Sequence, residues 1–299
     1  AQSKGDALRA MCLASSFWRF WQMRGHLREG RDRLNAVLAV PGSGEHPRER
    51  AMALEAAGGI AYWQGDMDAT QALYDESLAL VRMGGNPELI ANALYNSSFP
   101  SNVTGKDILA ARVLLDEALP IYRQLGDEPG IAKVLWALGQ SYVYTKDNAL
   151  AAVALEEAAA FFRKQGNLFG LGWALFLRGL LALQMDDLAA ARALAVESLK
   201  LFADANDISG VVLVVDSIAE VAYREGDIVA AARIRGAKTA HEVASGAGLT
   251  SVVSMREGWR PDQELAAAEG AAWAEGQAMT LQEAVAYAIG SDPATQASA

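Results

Sequence analysis

Apolar and polar positions along this chain follow a helical period, and the turns that interrupt them recur at a fixed step. Turn signals fall at Gly25-His26, Gly65-Asp66, Gly105-Lys106, Lys146-Asp147, Asp186-Asp187 and Gly226-Asp227. A second series interleaves with them at Pro41-Gly42, Gly84-Gly85, Gly126-Asp127, Gly166-Asn167 and Asn206-Asp207. Each series steps by about 40 residues, as in a helical solenoid, and two turns per period predict two helices of roughly 15 residues. The unit is clearest in GIAKVLWALGQSYVYTKDNALAAVALEEAAAFFRKQGN, which opens at Gly130. Leu135, Leu138, Gly139 and Tyr142 share one face of its first helix, and Ala151, Leu155 and Ala158 share one face of its second.

Other second helices carry the same spacing, at Ala69, Leu73, Leu78 and Val81 and at Leu114, Leu115, Leu119 and Tyr122. Val211–Val215 is β-branched but sits where the repeat demands a helix, so it reads as a buried helix. Two units break the rule. The first, Asp6 to Leu38, carries Phe17, Trp18, Phe20 and Trp21, too many aromatics for a terminal repeat with a polar outer face. It is expected to pack on something upstream. In ANALYNSSFPSNVTGKD, Pro100 removes a helical donor, so a kinked or prematurely ended helix is expected near Phe99. After Gly226-Asp227 one more helix runs from Ile228 to Ala244, followed by a Gly/Ser/Val loop to Trp259. Two closing helices follow, Pro261 to Glu275 and Thr280 to Ile289, the latter with a Thr280/Glu283 capping box. The predicted fold is all-α: a right-handed superhelix of about six tetratricopeptide-like helix pairs. It divides into a repeat array over 1–244, a helical cap over 245–290 and a disordered polar tail over 291–299.

In such a stack the first helices line the inner wall. Stepping by about 40 residues gives the equivalent positions. One row is Glu55, Tyr95, Trp136, Phe176 and Asp216. A second is Met52, Asn92, Lys133, Trp173 and Leu213, and a third is Gly59, Phe99, Gln140, Leu180 and Glu220. The middle of the array therefore gathers Tyr95, Phe99, Trp136, Trp173 and Phe176, with Asn92, Asn96, Lys133 and Gln140 beside them. Tyr62 and Trp63 are placed to close one end. Aromatic stripes at helical spacing serve as core between helices or, mixed with amides, as the lining of a ligand groove. Both readings stand at this level.

Composition narrows the chemistry. The net charge of −10 and the lack of Lys/Arg clusters argue against direct nucleic-acid binding. Cys12 is the single cysteine, which excludes an internal disulfide and fits a reducing, cytoplasmic setting; with no basic neighbour it reads as a buried structural thiol. No segment has a signal-peptide layout, and the most apolar run, Leu168 to Met185, is too short and interrupted to span a membrane. His26, His46 and His241 fall in distant units without metal-ligand spacing. Asp186-Asp187 reads as a turn, and Glu156-Glu157 and Asp116-Glu117 as solvated faces. No nucleophile elbow and no G-x-x-x-x-G-K-[ST] phosphate loop is present. These gaps argue against an enzyme and imply no cofactor.

Leu138, Gly139, Tyr142, Asp147, Ala151 and Ala158 match the tetratricopeptide pattern. WRFWQMRGHLREGRDRL, GDMDATQALYDESLAL, AARVLLDEALPIYRQLGDEPGIA and the closing AAWAEGQAMTLQEAVAYAI resemble the C-terminal repeat region of large bacterial ATPase-linked regulators. These are the LuxR-type and cyclase-linked regulators of actinobacteria and, more distantly, the maltose-regulon activators. The resemblance covers nearly the whole chain, departs at Asn96 to Pro100, and carries over neither ATPase nor DNA-binding activity. It implies a piece of a longer protein whose neighbour is an ATPase module. The expected role is a non-catalytic sensor or interaction module of a transcription or signalling regulator. Its inner wall would receive a protein or peptide segment, or a small effector, through Asn92, Tyr95, Asn96, Phe99, Lys133, Trp136, Gln140, Trp173 and Phe176. The alternative is a structural or oligomerising arm with no ligand of its own.

Overall fold

The structure is a computed structural model that describes residues 4–249 and 262–290; the expected tail over 291–299 and most of the loop before Trp259 lie outside them. Among the described residues every regular element is a helix. The helices run α1 (Lys4–Met23), α2 (Leu27–Leu38), α3 (Pro47–Trp63), α4 (Met67–Gly84), α5 (Pro87–Ser97), α6 (Phe99–Thr104), α7 (Ile108–Leu125), α8 (Glu128–Thr145), α9 (Asn148–Lys164), α10 (Leu168–Gln184), α11 (Leu188–Asp204), α12 (Ile208–Arg224) and α13 (Ile228–Ser245). A closing group follows, α14 (Asp262–Ala268), α15 (Gly270–Ala278) and α16 (Leu281–Ala288).

A cap and a close approach recur with the repeat and explain its regularity. Asp66, Asn86, Asp107, Asp127, Asn167, Asp187, Asp207 and Asp227 each accept a backbone N–H three residues on, capping α4, α5, α7, α8, α10, α11, α12 and α13 in turn. Each such cap contributes about 1 kcal/mol. The close approach joins the end of a second helix to the start of the next first helix. Tyr122 packs on Gly130, Phe162 on Gly170 and Phe202 on Gly210, so near that a Cβ on Gly130 would stand 2.1 Å from the Tyr122 ring. These aromatic rings set the spacing between successive pairs.

Within pairs α3 packs on α4, α8 on α9, α10 on α11 and α12 on α13. Gly139 lies against Leu155 as the pairing of small and apolar residues requires. The β-branched run Val211–Val215 is helical and wholly buried in α12. The helix after Pro87 ends at Ser97 and restarts as α6, with Pro100 inside its first turn where a missing donor costs least.

Three expectations need correction. The closing segment before Glu275 is not one helix: it breaks at Glu269 into α14 and α15. There Gly236 and Gly276 let α13 and α15 cross in near backbone contact, a Cβ on Gly276 meeting Arg233 O at 1.9 Å. Cys12 is exposed rather than buried, because Met11 and Ala14 take the inward face of α1. The indoles of α1 pack within this chain: Trp21 on Gly30 and Ile60, and Trp18 on Gly59. Phe17 and Phe20 remain half exposed.

The stack also closes on itself. First helices α1, α3, α5, α8, α10 and α12 follow one another around a common interior, and α1 returns to touch α12. The seam is polar and buried. Gln22, with no exposed surface, donates through Nε2 to Asp207 Oδ1 at 3.0 Å, and Ser209 Oγ donates to the Gln22 carbonyl at 2.8 Å. Gly25, at φ +72°, lies against Ser245 and Ile208 nearby. Gln22→Ala leaves Asp207 buried without this donor and is expected to cost roughly 1–3 kcal/mol. Denaturant unfolding together with faster amide exchange in α1 checks it; unchanged protection in α1 would show that the seam is held elsewhere.

Candidate functional site

Ring closure converts the inner wall into a cavity of about 540 Å³, within the usual size of small-molecule sites. All nine residues of the predicted site face it: Asn92, Tyr95 and Asn96 from α5, Phe99 from α6, Lys133, Trp136 and Gln140 from α8, and Trp173 and Phe176 from α10. Met52, Glu55, Gly59 and Leu213 from the same rows also line it, as do Tyr62 and Trp63. Leu180, Asp216 and Glu220 do not. Leu180 is core, Asp216 is drawn into a buried ion pair with Arg235 of α13, and Glu220 pairs with Arg224.

The rings form a continuous array of tilted and edge-to-face contacts. Phe99 lies 5.4 Å from Tyr62, 4.9 Å from Tyr95 and 5.8 Å from Trp136, so the helix break after Ser97 places one ring at the meeting point of three repeats. Tyr62 continues to Trp63 at 6.0 Å, Trp63 to Trp173 at 5.4 Å, and Trp173 to Phe176 at 5.8 Å. These are favoured separations for aromatic pairs. Groove lining and inter-helix core are thus the same residues: the rings pack on each other and also line the interior.

Sequence reasoning missed part of the wall. Trp18 and Arg19 reach it from α1, which packs between α3 and α12. The Arg19 guanidinium sits 3.9 Å from the centroid of Phe169 and 4.8 Å from that of Trp18. Among the described residues it makes one hydrogen bond, Nη1 donating to Gln22 Oε1 at 3.2 Å, which ties it to the seam. Burial lowers its pKa, and Asp207, Tyr95 and Tyr74 oppose that shift; a guanidinium in a protein keeps its proton. No local pattern in the sequence marks Arg19.

The polar groups are few and specific. Glu55 Oε2 accepts from Asn92 Nδ2 at 2.8 Å, joining α3 to α5. Desolvation raises the Glu55 carboxyl from an ordinary 4.5 to about 7, partly offset by Asn92, Asn96 and the Lys133 charge. Burial raises the phenols of Tyr62, Tyr74 and Tyr95 as well, so they stay neutral. Two buried groups on α8, one turn apart, have no hydrogen-bond partner: the Trp136 Nε1–H donor and the Gln140 Oε1 acceptor. Among the described residues no group of His, Cys, Asp and Glu is disposed to hold a metal ion, and no helix is long and apolar enough to cross a membrane.

No protein-family model matches the chain, and no curated protein matches it.

Glu55 gives the site a pH signature. A carboxyl that binds its proton more tightly folded than unfolded stabilises the fold at low pH and loses that contribution as pH rises from 4.5 through about 7. Glu55→Gln keeps an acceptor for Asn92 and removes the slope. Its stability is expected to match the parent near pH 4.5 and to exceed it by roughly 3 kcal/mol above neutrality. Denaturant unfolding across this range checks the difference; parallel curves for the two proteins would refute it.

Proposed function

We propose that this chain is a non-catalytic binding module whose inner wall receives an effector. The observation that carries the reading is the cavity of about 540 Å³ ringed by first helices and faced by indoles, phenyl rings and a few convergent amides and charges. Its volume, within the usual size of small-molecule sites, favours a small molecule over a long peptide segment. The resemblance of the repeats to bacterial ATPase-linked regulators suggests the use of such a module. Effector occupancy would bias a neighbouring ATPase module of a cytoplasmic signalling or transcription regulator; this step rests on analogy of sequence pattern. Arg19 links the wall to the seam through Gln22, which offers a route from occupancy to the closure of the ring.

Titration with three naphthalenes, bearing a carboxylate, a carboxamide or an aminomethyl group, tests the binding reading. At least one is expected to bind saturably at one site, read by calorimetry and tryptophan fluorescence. Trp136→Ala with Tyr95→Ala is expected to weaken that binding at least tenfold, while the far-ultraviolet helical signal persists. Failure of all three compounds, or equal binding to the double variant, overturns it.

A second reading has one observation in its favour. Leu13, Phe17 and Phe20 lie at helical spacing on α1 and are 62%, 48% and 50% exposed. Through this stripe α1 would join a second copy of the chain, as a structural arm does. Trp18 and Trp21 face inward, so the stripe alone is diagnostic. Changing Leu13, Phe17 and Phe20 to Ser is expected to abolish a concentration-dependent dimer in sedimentation; a parent that stays monomeric removes this reading.

A further inference from the structure

The charges on the wall say more about the effector than its shape does. Arg19 and Lys133 are its cations and Glu55 its acid. Lys133 donates no hydrogen bond to a protein group and has no carboxylate within salt-bridge range among the described residues. Arg19 uses one donor of the five that a guanidinium carries, and its nearest acidic influence, Asp207, lies behind it in the seam without a direct ion pair. The guanidinium carbon lies over the Trp18 and Phe169 rings. A guanidinium placed by aromatic rings with most of its donors unspent suits a planar carboxylate. Glu55, in contrast, is already engaged by Asn92.

The apolar part of the wall adds the second half. Tyr62, Tyr95, Phe99, Trp136 and Trp173 line the interior, and aromatic side chains suit a flat ring system better than a flexible chain. Gln140 is only 5% exposed, and neither its Oε1 nor the Trp136 Nε1–H has exposed surface for a ligand to meet, so the charged groups and the aromatic side chains decide the fit.

Resting on the binding reading above, we infer that the effector is a compact, flat organic carboxylate. Its anion is held by Arg19 and attracted by the Lys133 charge, and its ring system lies among the aromatic side chains. Binding is non-covalent and forms no new bond.

The naphthalene series separates this inference from the reading beneath it, because only the charge changes. Naphthalene-2-carboxylate is expected to bind roughly 10- to 100-fold more tightly than the carboxamide, and the aminomethyl compound more weakly than either. Arg19→Gln is expected to collapse the carboxylate advantage to within a few-fold while leaving carboxamide affinity in place. Lys133→Gln, at a residue with no hydrogen bond to a described protein group, is expected to reduce the same advantage when measured near pH 5, where Glu55 is protonated and its coupling to Lys133 is small. Octanoate tests flatness and is expected to bind at least tenfold more weakly than the naphthoate. Carboxamide or amine binding as tight as the carboxylate overturns the anion assignment and leaves the cavity a ligand site. Octanoate binding as tight as the naphthoate overturns the flat body, and an unchanged carboxylate advantage in both variants overturns the roles of Arg19 and Lys133. If no compound binds, the binding reading itself fails.

Discussion

The buried contact between α1 and α12 changes what kind of object this stack of helix pairs is. Without it, successive pairs would present an open concave face, wet along its length. With Gln22 bonded to Asp207 and Ser209 bonded to the Gln22 carbonyl, the first helix is carried across the end of the array and the wall becomes an interior. The seam is polar, buried and short, so its worth depends on every partner being present; removing one leaves another unsatisfied. It also carries a caps-and-seam economy of residues, because Asp207 accepts from Gly210 N as the N-cap of α12 and from Gln22 as the clasp.

Closure at that point requires the intervening pairs to turn by a consistent amount, and the repeat supplies the means. Tyr122, Phe162 and Phe202 seated on Gly130, Gly170 and Gly210 fix the offset of each first helix from the pair before it. Acidic or amide caps fix where each helix begins. Regularity is then broken once, after Ser97, where the shortened α5 and the Pro100 helix swing Phe99 between Tyr62, Tyr95 and Trp136. A break of local pattern that places one ring at the centre of a cavity is the kind of departure that collects at functional sites.

The interior is apolar enough to amplify the charges it holds. Desolvation raises the Glu55 carboxyl, while Arg19 stays charged and is braced by aromatic faces and by Gln22. On the side of the seam a guest meets the Arg19 guanidinium, with Asp207 further into the seam. A guest that engages Arg19 touches the residue bonded to the clasp, so occupancy and closure share an energy. The proposed sensor role and the inferred carboxylate ligand both draw on this one connection between wall and seam.

Much of the architecture was legible before any coordinates. Turn spacing and apolar periodicity determined the helix pairs, their order and the rows of the inner wall, since those depend on local geometry repeated many times. Stepping by one repeat was enough to bring Tyr95, Trp136 and Phe176, or Asn92, Lys133 and Trp173, onto one surface. What the rows bordered was not legible: a groove and a packed core have the same periodicity, and only the three-dimensional path of the chain separates them. The roles of Trp18 and Arg19 were likewise hidden, because they follow from a contact between residues 22 and 207, whose pairing no local pattern encodes. The outer exposure of Cys12 and the split of the closing helix at Glu269 were decided the same way, by which face of α1 met α3 and by a glycine crossing between α13 and α15. Local sequence set the units and their pitch; long-range closure set whether the space they enclose exists and which charges point into it.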